Sequence, residues 1–178
     1  MSKFTDRMWR AAKLDAGVYE EVEADKSAMG QAMGAVVLSS LAAGVGNIAF
    51  GFGPLILMTV VSLLGWYAWA FAVYFIGTKW LPEPQTKADY GQLLRTIGFS
   101  SSPGVIRVLG VIPGLSAAVT PVAGIWMLVS MVIAVRQSLD YKSTGRAVGV
   151  CLLGWLVYLL LVALLLSLAG MGGRMQGM

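Results

Sequence analysis

Residues 147–169 read AVGVCLLGWLVYLLLVALLLSLA, an uncharged stretch that is apolar from end to end. A helix needs roughly 20 mostly apolar residues to cross the hydrocarbon core of a bilayer, so this stretch reads as a transmembrane helix. Upstream, Gln137 to Arg146 forms a polar loop. Before that loop Val122 to Val135 is a second apolar span, opened by Pro121 and closed by Arg136. The tail, residues 171–178, is short and is expected to be mobile.

Two more apolar runs lie nearer the N-terminus. Leu55 to Ile76 ends on Lys79 and Trp80 and contains Trp66, Tyr67, Trp69 and Tyr74. Aromatic residues at span ends anchor in the membrane interface, and those in the middle are read as packing. Gly51, Phe52, Gly53 and Pro54 predict a tight turn, because Gly tolerates positive φ and Pro suits the first turn of a helix. That turn joins Leu55–Ile76 to the first run, Met29 to Phe50. This run is rich in small residues, and Gly30 with Gly34 makes a small-xxx-small pair that lets helix backbones approach closely. Asn47 is the notable polar residue of this hairpin, a candidate cap or helix-to-helix clamp.

Between these pairs of spans the reading is less regular. Residues 79–103 form the main polar loop, with Pro82 and Pro84 stopping the preceding helix and Ala88 to Ile97 suited to one short helix. The run Gly104 to Ala118 is interrupted by Arg107, Gly110, Pro113 and Gly114, which predicts a kinked span or a re-entrant segment. Arg107 is the one cation placed near membrane depth. It is expected to snorkel to the interface, with a phospholipid headgroup, Asp89 or Asp140 as candidate partners.

Charge decides between four and five spans. Cytoplasmic flanks carry the Lys and Arg excess. With five spans one side receives Lys3, Arg7, Arg10, Lys13, Lys26, Lys79, Lys87, Arg95, Arg136, Lys142 and Arg146, leaving only Arg107 and Arg174 of the 13. The expectation is therefore an all-α, polytopic transmembrane helical bundle of five spans, N-terminus cytoplasmic and C-terminus outside. The transmembrane domain would cover residues 29–170, behind a cytoplasmic segment 1–28.

That segment has Phe4, Met8, Trp9 and Ala12 at helical spacing, flanked by Lys3, Arg7, Arg10 and Lys13. It reads as a short amphipathic helix in the headgroup region, with Trp9 at the interface and Arg10 on lipid phosphate. The acidic run Glu20, Glu21, Glu23 and Asp25 reads as a solvated face. Charges of both signs and the lack of an apolar core argue against a cleavable signal.

Composition agrees: of 178 residues 57% are hydrophobic and 12% charged. The basic residues lie in short stretches between apolar runs, which suits anionic lipid and excludes nucleic acid as a partner. There is no His, and the single Cys, Cys151, sits in an apolar segment, so no metal or cofactor is expected and no internal disulfide can form. Every carboxylate lies outside the apolar runs, which leaves proton-coupled transport without its usual group. Ser39, Ser40, Thr59, Ser62 and Ser130 have no His or Lys to activate them, so no catalytic residue is named.

Three stretches carry a family resemblance: RMWRAAKLDAGVYEEVEADKSAMGQA (7–32), ADYGQLLRTIGFSSSPG (88–104) and IWMLVSMVIAVRQSLDYKSTGRAVGV (125–150). The chain resembles the Yip1-domain family of multispanning membrane proteins, in its shorter prokaryotic form. The resemblance implies five spans and a cytoplasmic N-terminus. Eukaryotic members act in vesicle traffic and bind small GTPases through a longer N-terminal region, of which only VYEEVEAD (18–25) stands here, so GTPase binding is not carried over. The expected role is a non-enzymatic membrane scaffold or accessory subunit in a prokaryotic inner membrane. It would bind lipids and other membrane proteins, or further copies of itself, through Trp9, Arg10, Gly30, Gly34, Asn47 and Arg107. A transporter or channel component is the alternative, supported by the broken segment at Pro113 and Gly114.

Overall fold

The computed structural model describes the backbone of residues 3–46 and 53–175, and the side chains of 3–46 and 55–160. Two short helices come first, α1 (Lys3–Ala12) and α2 (Ala16–Ala24). They are joined by a turn in which Leu14 takes a positive φ of 63° and the Asp15 side chain caps Gly17 N at 2.9 Å. One 3-10 turn, Lys26–Ala28, leads into α3 (Met29–Gly46). Then follow α4 (Gly53–Phe75) with a π-helical end (Ile76–Trp80), α5 (Tyr90–Ser100), a 3-10 segment (Ser102–Val111), α6 (Ser116–Ser138) and α7 (Thr144–Met175). The described residues form helices and the turns and loops between them, without strands, as the sequence led us to expect.

Three helices among the described residues are long and apolar enough to cross a membrane: Lys26–Gly46, Leu55–Trp80 and Ser116–Ser138. The 32-residue α7 follows the uncharged sequence 147–169 and belongs with them by length. Their outward faces are apolar, with Ile56, Leu64, Ile125 and Leu152 more than 60% exposed. Such a surface is unstable in water and natural in lipid.

The segment between α4 and α6 is broken: the expected short helix is present, but it is not in a polar loop. α5 starts at a capping box, in which Asp89 accepts from Gln92 N at 2.8 Å while the Gln92 side chain accepts from Asp89 N. From Leu93 to Ser100 every residue is buried, including Arg95 and Thr96. Residues expected in a polar loop are thus core. The 3-10 segment extends α5, Gly114 (φ 82°) turns the chain, and α6 begins at Ser116, several residues before the expected start at Pro121. Pro121 lies in the second turn, where its missing N–H removes a single backbone bond.

α5 and the 3-10 segment run alongside α3 in the same direction. Three close approaches define the seam: Gly98 against Ala32, Gly104 against Ser39, and Gly110 against Gly46. On α3 these partners recur every seven residues, two α-turns. On the opposing side the glycines recur every six, and two 3-10 turns are about six residues. A Cβ at Gly98 would stand 2.7 Å from the Ala32 Cβ, and one at Gly110 would stand 2.9 Å from the Gly46 carbonyl oxygen. The expected small-residue contact at Gly30 and Gly34 is not this seam. Gly30 has open space where a Cβ would go, and Gly34 faces the Phe4 ring of α1 at 3.3 Å.

All seven ion pairs among the described residues gather at one end of the bundle, where α3, α5 and α7 begin and α4 and α6 end. There Tyr141 donates to the carbonyls of Gly77 (3.0 Å) and Leu81 (2.7 Å), satisfying the open end of the π-turn. Arg146 pairs with Glu83 at 3.2 Å, and Thr86 donates to Leu139 O at 2.8 Å.

Candidate functional site: an arginine-bearing cavity and an N-terminal clasp

At mid-height between α3, α4, α5 and α6 lies a cavity of about 300 Å³. Its polar lining is Ser39, Ser40, Ser62, Ser100, Ser101 and Arg107. Trp66 and Trp69 wall it on one side, Met127 and Met131 on the other, and Trp69 Nε1 donates to the Met131 sulfur at 3.1 Å. Arg107 reaches it from the 3-10 segment. Its backbone lies against Gly46, the last residue of α3, while its Nη2 donates to Ser39 Oγ (2.8 Å) and Ser39 O (3.2 Å) and its Nε to Gly104 O (3.1 Å). Ser39 is two α-turns closer to the charged end than Gly46. The side chain therefore points from the far end into the bundle, toward the charged end, and its guanidinium ends on Ser39 at the cavity. The cavity's hydroxyls draw the guanidinium inward by offering hydrogen bonds that an apolar interior lacks. Neither Asp89 nor Asp140 pairs with it, and none of the ion pairs among the described residues involves Arg107.

The second feature is a clasp made by α1 and α2. Arg7, 1% exposed, holds Glu21 (2.8 Å), Asp25 (2.7 Å) and Gln31 (3.0 Å). Arg10 holds Asp15 (2.8 Å) and the other Glu21 oxygen (2.5 Å). The cations expected on lipid phosphates are thus neutralised by the acidic run that was read as a solvated face. Hydrogen bonds from Arg10 and Arg7 hold the Glu21 carboxyl below its usual pKa, and those from Ser27, Arg7 and Lys3 do the same for Asp25. Glu23 goes the other way: burial, with Asp140 nearby, pushes its pKa up to about 7. Arg95 donates to the carbonyls of Val22 (2.9 Å) and Glu23, placing a cation on the C-terminal end of α2.

The clasp is fastened to α6 by Tyr19 with Ser130 (2.6 Å), Trp126 Nε1 to Ala12 O (2.8 Å) and Gln137 to Glu20 (2.8 Å). Trp9 stays outside, 56% exposed, with the Lys13 ammonium 4.9 Å from its ring centroid.

The Yip1-domain family model matches residues 22–166, well over half of the chain. The chain belongs to the Yip1-domain family. No curated protein and no solved structure matches it. The matched Yip1 domain contains every residue of the cavity lining, whereas α1 and most of α2 precede it.

Within this Yip1 domain the candidate residues fall apart. Arg107 stands at the cavity and Gly34 against α1, while a Cβ at Gly30 would meet open space and Asn47 lies outside the described residues. Trp9 and Arg10 lie ahead of the matched region, Arg10 in the clasp and Trp9 on its outer surface. Sequence reasoning missed Ser39 as the Arg107 partner and Arg7 as the centre of the clasp. An alternation of basic (3–13) and acidic (15–25) stretches one turn apart was the available signal for the clasp. Among the described residues no cluster of Cys, Asp or Glu side chains suits a metal ion.

Proposed function

We propose that this Yip1-domain membrane protein is a non-enzymatic scaffold or accessory subunit of a prokaryotic inner membrane, its charged end in the cytoplasm. The observation that supports this reading most is the clasp. A folded, charge-balanced hairpin is bound to one end of a lipid-compatible bundle and presents Trp9, Lys13 and Lys3 outward. Aromatic and cationic side chains fixed on a rigid element make a good contact surface for another protein or for headgroups. With five spans, eleven of the 13 Lys and Arg fall on one side by sequence, which supports the cytoplasmic orientation. Deletion of residues 2–16 tests the proposal: the spans insert as before and partners co-extracted from native membranes are lost. An unchanged partner set removes the scaffold reading.

A transport role has one observation in its favour, the polar cavity at mid-height. Solute flux in liposomes that contain this protein alone would favour it, and tight liposomes would count against it.

A further inference from the structure

We propose that the cavity is a binding site for a phosphate group, with Arg107 as its cation and the cavity serines as hydroxyl donors. Arg107 is a permanent charge at mid-height in a bundle that spans lipid, where an uncompensated charge is unfavourable by several kcal/mol. Its three hydrogen bonds go to neutral oxygens, which satisfy Nε and Nη2 but leave the charge uncompensated. Nη1 has no partner among the described residues, and neither has the Ser62 hydroxyl across the cavity. Ser40, Ser100 and Ser101 donate to carbonyls within their own turns at 2.6–2.9 Å, and a rotation about χ1 turns each hydroxyl to an anion.

A guanidinium fork with free N–H groups, surrounded by hydroxyls in about 300 Å³, suits a tetrahedral oxyanion better than a metal or an apolar ligand. The two tryptophans and two methionines on the walls accommodate apolar parts of the same ligand. The phosphate can be a lipid headgroup or a free ion, since both present the same oxygens.

The test uses the full chain in a neutral detergent and a phosphate-free buffer, with inorganic phosphate and dioleoylphosphatidylglycerol as probes and dioleoylglycerol, which lacks the phosphate, as control. Tryptophan fluorescence follows the phosphate titration, and native mass spectrometry counts retained lipid. Expected is saturable binding of at least one phosphate probe, weakened about tenfold or more by Arg107→Gln. Ser62→Leu, which fills the cavity from α4 without touching Arg107, should weaken binding similarly and decides the matter if Arg107→Gln does not fold. Binding of phosphatidylglycerol alone assigns the site to a headgroup, and binding of inorganic phosphate alone assigns it to the free ion. The proposal is overturned if wild type binds neither probe, if dioleoylglycerol binds as well as phosphatidylglycerol, or if the folded variants bind like wild type.

Discussion

Replacing Gly98 by alanine adds one methyl group at a close approach of the seam, where α5 meets α3. Its Cβ would stand 2.7 Å from the Ala32 Cβ, 3.0 Å from the Ala32 carbonyl oxygen and 3.1 Å from its carbon. Two of these are backbone atoms, so relief requires α3 and α5 to separate by about 1 Å along buried faces, and overpacking of this kind is destabilising by about 1–3 kcal/mol. Alanine regains up to about 1 kcal/mol over glycine in helix propensity. The net expectation is a loss of about 1–2 kcal/mol, or a fall in Tm of roughly 2–8 °C for a chain of this size. Gly30→Ala is the matched control, because a Cβ there meets nothing within 4 Å. It should hold or raise Tm. Cys151 provides the assay: it is the single cysteine of the chain and 8% exposed, so a thiol-reactive fluorophore reports its exposure as detergent-solubilised protein is heated. If Gly98→Ala melts at or above Gly30→Ala, the seam is not a close-packed contact and the register argument fails.

The clasp yields two further expectations. Arg7→Met removes the shared cation of Glu21 and Asp25, and a partner removed from a buried ion pair is typically worth about 3–5 kcal/mol, less here because Arg10 and Lys3 still reach the same carboxylates. Hydrogen exchange of α1 should accelerate about tenfold or more while α4 and α6 keep their protection, and equal exchange in both proteins would contradict a clasp centred on Arg7. pH acts in both directions. Glu21 and Asp25 have depressed pKa values, so their contribution is present above their unfolded values of 4.5 and 3.8 and is lost as pH falls through the folded values. Glu23 is raised to about 7, so its contribution is present below 4.5 and is lost as pH rises through 7, with Asp140, Glu20 and Asp89 repelling its charge and Arg95 favouring it. Protection of α1 and α2, corrected for intrinsic exchange, should therefore peak near about pH 5, and Glu23→Gln should flatten the high-pH side. Monotonic pH dependence in wild type would refute this balance.

The helical bundle was legible because long uncharged runs such as Leu55–Ile76 admit few alternatives in a membrane. α5 was legible as a short helix over Ala88 to Ile97, but its burial was not, because Arg95 and Thr96 give it the polarity of a loop. Their polar atoms find partners only in tertiary structure, Arg95 on the carbonyls of α2 and Thr96 on Ser138 Oγ at 2.6 Å. The seam escaped for a different reason: a seven-residue repeat facing a six-residue one has no common period that a helical pattern search detects. α1 was correctly read as amphipathic. Its partners were misassigned, since hydrophobic spacing says nothing about whether a cation meets a phosphate or a carboxylate ten residues on. Arg107 was singled out by its charge in an apolar run, but the direction of its side chain depends on Ser39, a residue that sequence places in another helix.

The fastening of the clasp also sets a timetable for synthesis. Its internal ion pairs join residues 4 to 22 positions apart and can form as soon as α2 and Asp25 have been made. Its attachments to α6 join residues 111 to 117 positions apart. At about 5–20 residues per second, α6 is translated on the order of 10 s after α2, so the assembled hairpin, which can already meet α3 through Gln31 and α5 through Arg95, waits without its α6 attachments. For that interval the face that later covers α6, carrying Tyr19 and Glu20, is open to the insertion machinery and to any chaperone beside it, and it closes only when α6 is in place.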